Sequence, residues 1–311
     1  MTITPRMPGT DPRRASYSSV GVLIAAMFVL QGGAAFAKNL FPLVGPEGGT
    51  TLRLAWASLL LCLAWRPWRQ RFTTSEWQWL FLYGLSLGGM NLLIYKALDR
   101  IPLGVAVAVE FTGPLAVAVL GSRRLLDLVW VALAALGIGL LFPWTDLGKP
   151  LDHFGLLCAL GAGACWGIYI VAGKRVAHSA PGGIVTALGM TIALGLALPF
   201  GVVSAGASLL NWNAIGIAAI VSLLSSVIPY SLEIVALRNL PARTFGILMA
   251  LEPVVASIMG AIVLQEWLTT LQAGAMSLII AASVGSTATS EKAAPGPIDP
   301  TDNDPEPVLP I

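Results

Sequence analysis

Hydrophobic positions in this chain do not alternate with polar ones; they run together in long blocks, separated by short gaps that hold Pro, Gly or charge. A helix of about 20 apolar residues covers the roughly 30 Å of a bilayer's hydrocarbon core. The blocks predict ten such spans, at 19 to 37, 50 to 65, 77 to 97, 102 to 121, 127 to 143, 154 to 174, 182 to 203, 213 to 237, 242 to 264 and 270 to 288. The expected fold class is therefore all-α, a membrane protein of ten transmembrane helices. Residues 1 to 18 form a short polar segment before the first span. Residues 289 to 311 carry Pro295, Pro297, Pro300, Pro305, Pro307 and Pro310 among acidic residues, too polar and Pro-rich to pack, and are expected to be a disordered cytoplasmic tail.

Composition agrees with the pattern. Hydrophobic residues make up 56% of the 311 and charged residues 11%, against roughly 45–50% and 25% in ordinary globular chains. A formal charge of +2 is too small for a nucleic-acid partner, which excludes that class. Cys62, Cys158 and Cys165 fall inside apolar blocks and read as small core residues, neither a disulfide framework nor a metal site.

Charge matters most through its position, because Lys and Arg near span ends stay on the cytoplasmic side. With the N-terminus inside, the inner segments hold 13 of the 18 cations, among them Arg13, Arg14, Arg66, Arg71, Arg123, Arg124, Lys174, Arg175 and Arg243. The outer side holds Lys38, Arg53, Lys96, Arg100 and Lys149. Both termini of this multi-pass chain are expected in the cytoplasm. Arg13 and Arg14 before an apolar run ending in Ala35-Phe36-Ala37 imitate a cleavable leader. The retained span is the favoured reading, since cleavage would leave nine spans and break the symmetry described next.

Sliding the chain over itself by 139 residues pairs Ala97 with Ala236, Leu98 with Leu237, Pro102 with Pro241, Pro114 with Pro253 and Asp127 with Glu266, without a gap. This predicts two five-helix repeats, residues 19 to 148 and 149 to 288. An odd number of spans makes the two repeats cross the bilayer in opposite senses, the inverted plan of many secondary transporters, with the site at the repeat interface near the midplane.

The segments 31 to 45 (QGGAAFAKNLFPLVG), 83 to 91 (YGLSLGGMN), 102 to 119 (PLGVAVAVEFTGPLAVAV), 229 to 237 (PYSLEIVAL) and 240 to 260 (LPARTFGILMALEPVVASIMG) resemble the EamA branch of the drug/metabolite transporter superfamily, and within it the inner-membrane threonine and homoserine exporters. The resemblance covers roughly residues 20 to 288. It implies a ten-helix basket around a central cavity lined by both halves, alternating access, and a small amino-acid substrate.

Buried charge narrows the candidates for a site. A carboxylate at the bilayer centre costs about 2.5–3.5 kcal/mol on insertion scales, so each needs a partner or a purpose. Glu110 in the fourth span and Glu252 in the ninth both fall near mid-membrane. Each either meets a substrate ammonium, carries a coupling proton, or is a structural carboxylate satisfied by a neighbouring helix. Glu233, nearer a span end beside Arg238, reads as structural. Pro114 and Pro253 free a backbone carbonyl and bend their helices, either to line a cavity or only to shape packing. Lys38, Arg53 and Lys96 are the cations available to a substrate carboxylate, and interfacial anchoring explains them as well. Gln31, Asn91, Tyr95, Trp166, Tyr169 and Tyr230 are placed to hydrogen-bond either an amino acid or another helix.

Two enzyme signatures fail on context. Gly84-Leu85-Ser86-Leu87-Gly88 spells a nucleophile elbow, but it lies in an apolar helix, the only histidines, His153 and His178, are expected in loops on opposite sides of the membrane, and its Gly84/Gly88 pair reads as a close-packing face. No phosphate-binding G-x-x-x-x-G-K-[ST] occurs. The expectation is a secondary exporter of threonine and homoserine in the lipid bilayer, needing no cofactor, driven by the substrate gradient or by proton antiport. Export of another metabolite, or a scaffold or receptor that moves nothing, are the competing readings. Oligomeric state is left open.

Overall fold

A computed structural model describes residues 12–120, 125–141, 151–176, 181–229, 232 and 248–290. Every regular element among them is helical. In chain order they are α1 (Pro12–Ala37), α2 (Phe41–Trp65), α3 (Thr74–Leu98), α4 (Leu103–Glu110), α5 (Thr112–Leu120), α6 (Leu125–Leu141), α7 (His153–Val176), α8 (Gly182–Ala205), α9 (Trp212–Ser222), α10 (Glu252–Leu264) and α11 (Thr270–Ser290). Local chemistry sets several starts. Thr73 and Glu76 form a capping box at α3, Asp152 accepts from the Gly155 amide at 2.8 Å to open α7, and Asn211 accepts from Asn213 and Ala214 to open α9.

Four helical stretches are long and apolar enough to cross a membrane, and five further apolar helices are shorter. The longest, Ser19–Trp65, runs 47 residues, about 70 Å at 1.5 Å per residue and over twice a bilayer core. It is kinked at Gly45, whose φ of 68° suits a residue without Cβ, immediately before Pro46. The stretch expected as a loop between the first two spans is thus largely helical.

Two predicted spans are broken rather than continuous. The fourth divides into α4 and α5 at Phe111, three residues before Pro114. Pro114 has no N–H for the Glu110 carbonyl and its ring crowds that same group. In the ninth, residues 250 and 251 form a turn before α10, whose second residue is Pro253. Phe111 and Ala250 are 139 residues apart, the same offset that aligns the two prolines. The eighth passes from α9 into a π-helical turn, Leu223–Val227, just before Pro229. Tyr230, Glu233, Lys149, His178 and both chain ends lie outside the described residues.

The helices pair α3 with α7 and α8, α2 with α8 and α9, α6 with α11, α4 with α10, α1 with α10 and the π turn, and α5 with α7. Small residues make the closest approaches possible. A Cβ on Gly84 would meet Ile192 of α8 at 2.5 Å, and one on Gly88 would meet the Ala193 backbone at 3.0 Å. The glycines around Ser86 are therefore a packing face, and Ser86 itself donates to the Tyr83 carbonyl within its own helix. Polarity is arranged inside-out relative to a soluble protein. Leu63, Phe81, Leu128, Leu157, Val203 and Ile262 are exposed, while Gln31, Arg53, Asn91, Glu110 and Glu252 are buried, the distribution expected when lipid is the solvent.

Candidate functional site: a polar cavity between helices of both halves

The buried polar residues converge. A cavity of about 290 Å³ is lined by Gln31 of α1, Arg53 of α2, Asn91 and Tyr95 of α3, Glu110 ending α4, Trp166 and Tyr169 of α7, Ser225 and Pro229 after α9, and Glu252 beginning α10. Leu30, Ala34, Met90, Ile94, Leu98, Leu103, Val107 and Met249 complete an apolar wall. Helical spacing explains the grouping: Asn91 and Tyr95 are one turn apart on one face, as are Trp166 and Tyr169.

The polar side chains form two groups. In one, Arg53 donates through Nη2 to Asn91 Oδ1 and through Nη1 to Ser226 Oγ at 3.3 Å, and its guanidinium stacks 5.0 Å from the Tyr95 ring. Asn91 is itself held by donating to the Leu87 carbonyl at 2.7 Å. In the other, Gln31 Nε2 donates to Glu252 Oε1 at 2.8 Å. Because a carboxylate accepts, that bond turns the Gln31 amide nitrogen toward Glu252 and leaves Oε1 as a free acceptor. Glu252 sits in the first turn of α10, where the helix dipole favours negative charge. Glu110 closes α4 and makes no hydrogen bond or ion pair through its carboxylate to a described residue.

Aromatic pairs brace the α7 side. Trp166 meets Phe111, the residue at the helix break, edge-on at 5.1 Å, and Tyr169 stacks on Tyr83 at 4.6 Å with their hydroxyls 3.1 Å apart. The other cations lie elsewhere. Lys38 pairs with Glu266, whose other oxygen accepts from the Leu103 amide at 2.8 Å, and Lys96 pairs with Glu47 at 3.0 Å. A second cavity, about 380 Å³ between α10 and α11, is mainly apolar, and its one carboxylate is the Glu266 already paired. Among the described residues no group of His, Cys, Asp and Glu is arranged to hold a metal.

Of the residues singled out from sequence, Gln31, Asn91, Tyr95, Glu110, Trp166, Tyr169 and Glu252 meet in the central cavity. Arg53 joins them, whereas Lys38 and Lys96 do not. Ser225, lining the cavity, and Ser226, which accepts from Arg53, drew no attention in the sequence. Their only signal is a Ser-Ser pair four and three residues before an intramembrane proline.

The sequence itself closely matches known proteins. The chain is 48% identical over 289 residues to the threonine/homoserine exporter RhtA of Escherichia coli (strain K12), an overlap covering 92% of this chain and 97% of that one. The chain belongs to the EamA-like transporter family. The EamA-like family model itself matches residues 153–288. This EamA transporter is also 27% identical over 265 residues to the uncharacterized transporter YwfM of Bacillus subtilis (strain 168), covering 81% of this chain and 87% of that one. Its fold resembles a solved crystal structure at a TM-score of 0.57 and 19% identity, spanning 89% of this chain and 98% of the other. The chain is a membrane transporter and not an enzyme.

Proposed function

We propose that this EamA transporter exports small hydroxylated amino acids, threonine and homoserine first, from the cytoplasm by alternating access at the central cavity. The observation that carries the reading is the cavity itself, where two carboxylates and a guanidinium line about 290 Å³ enclosed by helices from both ends of the chain. That volume lies just below the roughly 300–1,000 Å³ typical of small-molecule sites. A zwitterion needs charges of both signs in a small space, and an uncharged drug would not. The 48% identity to a protein named for threonine and homoserine export favours those two substrates.

In this reading the chain has ten spans in two inverted repeats, residues 19 to 148 and 149 to 288, with both termini cytoplasmic in the inner membrane. Support comes from the helix pairing. Exchanging the two halves maps α3 against α7 onto α9 against α1, α3 against α8 onto α9 against α2, and α5 against α7 onto α10 against α1. The α2/α8 and α6/α11 pairs map onto themselves. The equivalent positions of Phe111 and Ala250 add to it. Glu110 and Glu252 are the candidates for the substrate ammonium and, if export is coupled to proton antiport, for the proton; Pro114 and Pro253 supply the helix bends.

Overproduction in a bacterium should lower intracellular threonine and homoserine and raise resistance to toxic levels of either. Resistance gained only to an unrelated compound, such as a nucleoside or a dye, would remove the amino-acid assignment while leaving the family intact.

A further inference from the structure

Arg53 is 5% exposed, yet none of the ion pairs among the described residues involves it. A buried guanidinium without a carboxylate partner is costly in a medium of low polarity, and such groups are ordinarily paired. Its Nη atoms are committed to Asn91 and Ser226, which fix its orientation, but its Nε finds no hydrogen-bond partner. Tyr95, whose ring the guanidinium overlies, has a buried hydroxyl that finds no partner either. Both residues line the cavity, and each keeps one unpartnered atom able to donate, the Nε–H of Arg53 and the Tyr95 hydroxyl, which can also accept. The orphan of opposite kind, the acceptor Gln31 Oε1, stands with Glu252.

The geometry points to a subsite for a free α-carboxylate, with Arg53 Nε–H and the Tyr95 hydroxyl as its donors and Asn91 and Ser226 as the residues that aim the guanidinium. The inference rests on the amino-acid reading above and deepens it, since it makes the carboxylate a requirement for recognition. The orphan donors account for which cation serves: Lys38 and Lys96 already hold carboxylates, and Arg53 holds none. It follows that amino-acid amides and amino alcohols, which keep the ammonium and side chain but lack the anion, are poor ligands.

Equilibrium binding of radiolabelled threonine to the purified full-length protein, displaced by threonine, threoninamide or threoninol, tests this. A hydrogen bond to a charged group contributes about 1.5–3 kcal/mol, so the two carboxylate-free analogues should bind roughly ten- to hundred-fold more weakly than threonine. Tyr95→Phe removes only an unpartnered hydroxyl. A structural tyrosine would tolerate that change, whereas the subsite predicts about ten-fold weaker threonine binding with threoninamide unchanged. Arg53→Gln should compress the threonine-to-threoninamide ratio toward one. Equal displacement by threonine and threoninamide in the unaltered protein overturns the subsite and leaves the amino-acid reading standing. So does a Tyr95→Phe variant that binds threonine normally, joined to an Arg53→Gln variant that weakens every ligand alike. Failure of the unaltered protein to bind threonine or homoserine overturns both.

Discussion

Glu110 and Glu252 line the same cavity but are held differently. Glu252 is bonded to Gln31 and lies at a helix start, a setting that suits a standing counter-charge. The Glu110 carboxylate has no such tether and is available for exchange with substrate or proton. Changing either to Gln keeps volume and an acceptor but removes charge and titration. Glu252→Gln should insert normally and weaken threonine binding roughly ten- to hundred-fold, the loss of a charge-assisted contact to the ammonium. Glu110→Gln should leave threonine-for-threonine exchange intact while abolishing net export driven by a pH gradient, because an amide cannot cycle a proton. Wild-type flux and pH dependence in both variants would make the two carboxylates structural. These residues were legible because an ionised or amide side chain inside an apolar block is conspicuous. Arg53, Lys38 and Lys96 were equally conspicuous, and sequence did not separate them, since span position tells depth but not which way a helix face turns.

At the scale of the helix, the break between α4 and α5 is pressed against α7. A Cβ added to Gly113 would lie 1.9 Å from the Gly163 carbonyl oxygen, backbone against backbone, so neither side can yield by turning a side chain. Gly113→Ala should therefore cost about 1–3 kcal/mol through overpacking. The loss would be seen as a lower midpoint in thermal unfolding of the detergent-solubilised protein. Gly195→Ala in α8, where nothing lies within 4 Å of the added carbon, should leave the midpoint unchanged or raise it. An unchanged midpoint for Gly113→Ala would mean that this crossing is looser than described. Helix positions were readable from the long apolar blocks, and the proline spacing pointed to where two of them bend. The helical 41 to 44 segment ahead of Gly45 was not readable, because Pro42 and the Gly45-Pro46-Glu47-Gly48-Gly49 run that follows have the composition of a loop; in the structure Leu40 and Val44 are buried in the core, with Phe41 and Leu43 packed against it.

For the molecule as a whole, the proposed function requires the cavity to open to each side in turn. The ion pairs Lys38–Glu266, Lys96–Glu47 and Arg100–Asp152 all join segments that the cation distribution assigns to the outer face, and the first and third link residues before 148 to residues after 149. In the proposed cycle, release to the outside requires the first and third to part. The central claim is that this cavity carries an amino acid through the bilayer, and flux tests it most directly. Purified protein in liposomes, with radiolabelled threonine or homoserine on one side and a pH gradient imposed or absent, should move both amino acids saturably above protein-free vesicles. Unlabelled homoserine should compete with threonine for that movement. Verified insertion with no flux of either amino acid, under gradient or exchange conditions, would contradict the account.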